Sequence, residues 1–235
     1  MTRNYSKEVE REECPICLLP MPIREDDTTV ESCCGKRICQ GCTYAMDKSE
    51  GKALCAFCRT PLPNSDEEHI KRIKKLMDKG NAEAFQLLAG GYANGTIGMP
   101  QDNQKCNELN LKAGELGCAG GYYNLGIFYH RGMGVEVDKE KAKQYWELAA
   151  MNGHIYARHN VGGLEAEAGN NERAMKHLIL SARAGYEESL DGIKQGYRLG
   201  LVSKHDYADV LRAYQKSQDE MKSKERDIAA SEVQD

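Results

Sequence analysis

The string Tyr92-Ala-Asn-Gly95, with an aspartate at position 102, returns as Tyr129-His-Arg-Gly132 with an aspartate at position 138. The two copies stand 36 to 37 residues apart, a period that belongs to stacked helix pairs rather than to isolated helices. Working outward, Gly80, Gly117, Gly153 and Gly185 bring four copies into register. Eight residues after each comes an apolar side chain, namely Leu88, Leu125, Val161 and Ile193. Twelve after come Tyr92, Tyr129, Glu165 and Tyr197, and fifteen after come Gly95, Gly132, Ala168 and Gly200.

Each part of this pattern has a physical use. A glycine that accepts positive φ stops a helix. The strings Lys112-Ala-Gly-Glu-Leu-Gly117, Leu148-Ala-Ala-Met-Asn-Gly153 and Leu180-Ser-Ala-Arg-Ala-Gly185 mark the ends of second helices. Ala89, Gly126, Gly162 and Gly192 permit close helix contact, and Asp138 is placed to cap a helix start. The third copy is shorter, with 32 residues from Gly153 to Gly185, because its loop before Asn171 is trimmed. Ser65-Asp-Glu-Glu68 has the form of a capping box that opens the first helix, which ends at Gly80 and packs the front of the stack. These residues resemble Sel-1-like repeats, relatives of the tetratricopeptide family, across about 66 to 215. The resemblance implies a stacked array whose surface binds a protein substrate or client. The Leu and Tyr anchors are expected in its core.

Ahead of the repeats the composition changes. Eight of the ten cysteines lie between Cys14 and Cys58, as three Cys-x-x-Cys pairs (Cys14/Cys17, Cys39/Cys42, Cys55/Cys58) and the adjacent pair Cys33/Cys34. Each Cys-x-x-Cys can offer two thiolates to one tetrahedral ion, so four pairs make two sites. The first histidine is His69, so the ligands are all cysteine unless an acidic residue such as Glu31 takes one corner. Cys14-Pro-Ile-Cys17, Ser32-Cys-Cys-Gly-Lys-Arg-Ile-Cys-Gln-Gly-Cys42 and Cys55-Ala-Phe-Cys58-Arg59 resemble a RING finger of the all-cysteine subgroup. The resemblance implies two zinc ions held in a cross-brace, Cys14, Cys17, Cys39 and Cys42 on one and Cys33, Cys34, Cys55 and Cys58 on the other. It also implies a ubiquitin-conjugating enzyme as partner, received by Ile16, Met46 and Phe57, with Arg59 as the cation that touches both that enzyme and ubiquitin. Three features depart from the pattern. Cys33 and Cys34 are adjacent, Met46 stands where tryptophan is common, and Ala56 stands where proline is preferred. The alternative use for Arg59, with Lys36 and Arg37, is to balance the thiolate charge.

The expected architecture is mainly α: residues 1–13 a flexible N-terminus, 14–63 a small two-zinc cross-brace RING domain, 64–215 an α/α helical-repeat solenoid, and 216–235 a charged tail that frays from the last helix. Pro61 to Asn64 reads as a linker. A formal charge of −4, with 32 basic and 36 acidic residues mixed along the chain, argues against nucleic acid as a partner. Neither a signal peptide nor a run of about 18 apolar residues is seen, so no membrane partner and a cytoplasmic or nuclear location are expected. Cys106 and Cys118 read as small helix residues. A zinc ion with four thiolates has no open position for water, so any activity lies in recruiting another enzyme, without a covalent intermediate. The two functions in competition are a RING-type E3 ubiquitin ligase and a non-enzymatic zinc-finger and repeat adaptor.

Overall fold

The computed structural model describes residues 11–50 and 53–232. They form two compact units, one holding Arg11 and residues 122–220, the other residues 12–121 and 221–232.

In the second of these units the chain begins with a small hairpin, β1 (Thr28–Val30) against β2 (Arg37–Cys39), paired antiparallel with Thr29 opposite Ile38. Helix α1 (Gln40–Glu50) follows directly from β2. Three helices come next, α2 (Asp66–Met77), α3 (Ala82–Asn94) and α4 (Asn103–Glu115). Their starts are capped by side chains: Ser65 Oγ accepts from Glu68 N at 3.2 Å, Asn81 Oδ1 from Ala84 N at 3.0 Å and Asp102 Oδ1 from Lys105 N at 3.0 Å. In the capping box at Ser65 the return bond goes one residue early, from Asn64 N to Glu68 Oε2 at 3.2 Å. Ile73, Leu76, Ala84 and Leu88 make a buried cluster between α2 and α3.

The other unit continues with helix pairs. Helix α5 (Ala119–Arg131) crosses the division, and α6 (Lys139–Met151), α7 (Ile155–Glu167), α8 (Asn171–Arg183), α9 (Glu187–Arg198) and α10 (Lys204–Met221) follow. The glycines expected to end helices do so with left-handed backbone: φ is 73° at Gly80, 100° at Gly117, 88° at Gly153 and 102° at Gly185. In the shortened third copy Gly169, one residue after Ala168, takes the left-handed turn at 78°. Small residues sit where helices meet closely. Gly162 and Gly192 both lie against Leu178, and Gly126 lies under Trp146.

The anchors are not uniformly core. Leu88, Leu125, Val161 and Ile193 are buried, whereas Tyr197 is 38 % exposed and stacks on Tyr207 at 4.8 Å. Glu165, standing where other copies carry tyrosine, is fully buried. Lys143 Nζ at 2.9 Å, Arg173 Nη2 at 3.2 Å and Asn170 Nδ2 at 2.8 Å meet its carboxylate. A buried carboxylate survives only with such company.

Two expectations change. Leu62 N donates to Ala53 O at 2.7 Å and Pro61 bridges to Leu54, so the first half of the supposed linker closes a hairpin of the cysteine-bearing segment. The charged tail does not fray. It forms helix α11 (Lys224–Glu232), which packs on α1 and buries Ala229. The alternating charges allowed this because they fall on different sides of a helix: Arg226 and Ala229 turn toward α1, and Glu225 and Asp227 face solvent. Among the described residues no helix is long and apolar enough to cross a membrane.

Candidate metal centre

Two short hairpins of the same construction carry two of the cysteine pairs. In the first, Glu13 bridges Pro20, Cys14 N donates to Leu19 O and Leu18 N to Cys14 O, both at 2.9 Å. In the second, Leu54 bridges Pro61, Cys55 N donates to Thr60 O at 2.8 Å and Arg59 N to Cys55 O at 3.0 Å. The residue after the last cysteine of each takes left-handed backbone, Leu18 at φ 59° and Arg59 at φ 62°. In the second hairpin Phe57 N and Cys58 N both point at Cys55 Sγ, 3.4 Å away.

The third pair lies on the turn that joins β1 to β2. Glu31 N donates to Lys36 O at 3.0 Å and Gly35 N to Glu31 O at 2.7 Å, which folds Cys33 and Cys34 to one side. Gly35 has φ 68°, and a Cβ there would lie 2.4 Å from Asn81 Nδ2. The fourth pair spans the end of β2 and the first turn of α1, as Cys39 and Cys42.

The eight sulfurs gather as two groups of four, Cys14, Cys17, Cys39 and Cys42 in one, Cys33, Cys34, Cys55 and Cys58 in the other. Within each group all ligand atoms lie within 4.8 Å of one another. Thiolates about 2.3 Å from a tetrahedral ion stand about 3.8 Å apart. The separations are 3.9 Å for Cys14 and Cys42, 3.8 Å for Cys17 and Cys39, 3.9 Å for Cys34 and Cys55, and 3.3 Å for Cys33 and Cys58. The donor set and three of the four separations therefore suit a tetrahedral divalent ion such as zinc, and adjacency does not keep Cys33 and Cys34 from facing one point. Glu31 is buried beside the second group, its carboxyl against Cys55, without being one of the four.

The electrostatics of the groups point the same way. Burial pushes the Cys14 thiol up, but the N–H groups around it, led by that of Cys39, outweigh this and hold it at about 7. Loss of some solvent pushes the Cys58 thiol up, but its hydrogen bonds with Thr60 outweigh this and hold it at about 6. Burial, followed by neighbouring thiols, pushes Cys33 and Cys42 far up, and Cys34 to about 11. The first group thus favours a thiolate at Cys14 and resists one at Cys39 and Cys42, and the second favours Cys58 and resists Cys33 and Cys34, a conflict that a divalent cation would resolve. Cys106 and Cys118 lie apart, buried, with thiols pushed up by that burial to about 11 and about 12.

Around the metal groups, Ile16 is 40 % and Phe57 42 % exposed. Met46 packs against the small core of Cys14, Met21, Ile38, Cys39 and Ala56, and Arg59 Nη1 lies 2.6 Å from Met46 Sδ. Lys36 sits over the Phe57 ring at 5.8 Å. Arg37 does not attend the thiols; it pairs with Glu83 at the start of α3. Sequence reasoning missed Arg226, which reaches Cys17 from α11, and nothing local to that stretch marks it.

The family model for the Sel1 repeat matches residues 84–118, 119–154 and 157–186. A Sel1 repeat protein of Oxalobacter formigenes is 25 % identical, with a TM-score of 0.58 over 67 % of each chain. A protective antigen of uropathogenic Escherichia coli with an SLR fold is 23 % identical at the same TM-score, over 76 % of this chain and 37 % of that one. The Activator of C kinase protein 1 of Saccharomyces cerevisiae is 35 % identical over 80 residues, 32 % of this chain and 13 % of its own length. A sel1-like repeat-containing protein of Acanthamoeba polyphaga mimivirus is 33 % identical over 63 residues, 27 % of this chain and 12 % of its own length. The chain thus spans about an eighth of the length of these curated relatives. The helix pairs α3–α4, α5–α6 and α7–α8 are therefore the segments of the chain that match the Sel1 repeat.

Proposed function

We propose that residues 14–63 form a two-zinc RING-type finger that recruits a ubiquitin-conjugating enzyme, while the Sel1 repeats hold a protein substrate, making the chain an E3 ubiquitin ligase. Cys14, Cys17, Cys39 and Cys42 hold one zinc and Cys33, Cys34, Cys55 and Cys58 the other. When bound, the ions supply folding energy and no open coordination position, so the chemistry belongs to the recruited enzyme.

The observation that carries the reading is the placement of Ile16 and Phe57. Each stands between the two cysteines of its own hairpin, and each leaves a large apolar side chain exposed beside its group of thiols. A side chain that the fold does not bury is available to a partner. Arg59 follows Phe57 and offers a planar donor fork at the same place, steadied against Met46. The repeats bring the second partner.

An adaptor function is the second reading. It is favoured by Met46, which packs into the core where a ligase surface asks for a projecting side chain. The test is discharge of ubiquitin from a panel of charged conjugating enzymes by the full chain. The ligase reading expects accelerated discharge with at least one of them, and a loss of tenfold or more with Ile16→Ala or Arg59→Ala. No acceleration across the panel, with stable protein partners still captured by the Arg59→Ala chain, supports the adaptor instead.

A further inference from the structure

The first metal group is the deeper one. Cys14 is fully buried and Cys39 nearly so, whereas Cys58 of the second group is exposed. Four thiolates around a divalent ion carry a net charge of about −2, and burying that charge calls for donors and cations close by.

Helix α11 supplies one. Arg226 Nη2 lies 3.4 Å from Cys17 Sγ, and Nη1 donates to Pro20 O at 2.8 Å and Met221 O at 2.9 Å. The guanidinium thereby joins a ligand of the first site, the strand that closes its hairpin, and the end of α10. The helix that carries it is held independently. Ser223 caps it, with Oγ accepting from Arg226 N at 3.2 Å. At its other end Glu232 accepts from Tyr44 Oη at 2.6 Å and pairs with Lys48 at 3.4 Å. Gly41 is what lets the two helices approach, since a Cβ there would lie 2.8 Å from the backbone nitrogen and Cγ of Arg226. Gly41, Tyr44 and Lys48 share one face of α1, and Cys42 and Met46 lie on another.

We propose that the zinc finger is a two-part domain in which Arg226 is a positioning residue for the first metal site, so that docking of α11 and metal binding by Cys14, Cys17, Cys39 and Cys42 stabilise each other. The inference rests on the metal reading of those four cysteines. Linkage makes the coupling reciprocal: whatever factor α11 adds to metal affinity, metal adds to α11 docking. Because α11 occupies the face of Gly41, Tyr44 and Lys48, the coupling leaves Ile16 and Phe57 exposed.

The experiment uses the full chain loaded with zinc and follows release of both ions to excess chelator. Loss of a second partner to a ligand typically costs about 10 to 100-fold in metal affinity. Arg226→Met is therefore expected to speed release of one ion by about that factor and leave the other unchanged, with Arg226→Lys between it and the parent. Gly41→Ala, which displaces α11 without altering the guanidinium, should speed the same ion, and Glu225→Gln should not. With cadmium in place of zinc, Arg226→Met should move one of two metal resonances. Hydrogen exchange should show the α11 amides losing protection when metal is stripped from the parent chain. Release of both ions at the parental rate from Arg226→Met, or α11 protection indifferent to metal, overturns the coupling alone. A parent chain that binds no zinc at the first site overturns the metal reading and the coupling with it.

Discussion

The indole of Trp146 stops against Gly126, its N–H donating to Tyr123 O at 3.2 Å, and a Cβ on Gly126 would come within 2.2 Å of the indole nitrogen. The ring is 4 % exposed and forms the centre of a cluster with Ala142, Ala149, Ala157 and Val161. Held by its hydrogen bond and packed all round, it has little room to give. Gly126→Ala should therefore lower stability by about 1–3 kcal/mol, the usual effect of overpacking. Thermal unfolding followed by tryptophan fluorescence checks this directly, since Trp146 is the only tryptophan. An unchanged melting temperature would show that the ring yields.

Arg37 connects β2 to the start of α3, pairing with Glu83 and standing 3.4 Å from Gln86 Oε1. Burial disfavours its charge, but Glu83 more than compensates and raises its pKa. Hydrogen bonds to charged groups contribute about 1.5–3 kcal/mol; both partners here keep some solvent contact, so the lower end applies. Arg37→Met and Glu83→Gln should each destabilise, and the double variant should cost less than the sum. Strict additivity in urea denaturation would argue that the pair does not couple.

His177 is buried among Arg158, Glu165, Arg173 and Lys143. Burial first, then Arg158, pulls its pKa down from 6.5 to about 4. Between those values the unfolded chain binds the proton that the folded chain refuses, so stability is full above pH 6.5 and falls as the pH drops toward 4. The loss should approach about 3 kcal/mol. Comparing denaturation midpoints at pH 7 and pH 4.5 for the parent and His177→Phe tests this, the variant being expected to show the shallower dependence.

Mass spectrometry under native conditions should find two zinc ions per chain. Cys34→Ser should leave one, and Cys106→Ser, which alters a buried helix residue, should leave two. Chelation should abolish the fold of the finger, whose apolar core is a handful of residues, and spare the helices from α5 to α10, whose cores contain no metal group. Retention of two ions by Cys34→Ser would remove that thiol from the ligand set.

The repeats were legible because their determinants are local. A left-handed glycine, a capping aspartate and a small residue at a helix crossing each act within a few residues, and the period multiplies the signal. Gly117, Gly153 and Gly185 turn the chain as their spacing implied, and Asp138 caps α6 through a 2.9 Å bond from Lys141 N. The gathering of the cysteines was legible for a related reason, since each Cys-x-x-Cys brings two thiols together within one turn. Glu165 was visible as a departure from the tyrosine anchors, but its reason lay in Lys143 and Arg173, brought to it from neighbouring helices.

What only the tertiary structure decided concerns residues far apart in the chain. The sequence by itself determined the helix pairs and the two sets of paired cysteines, because turn geometry and periodicity are encoded residue by residue. It did not determine that Arg226 meets Cys17, or that Arg37 leaves the thiols for Glu83. Those pairings depend on which helix faces are left to bury once the local elements exist. A charged tail and a charged helix face can be told apart only when a complementary surface, here Gly41, Tyr44 and Lys48 of α1, stands ready to receive it.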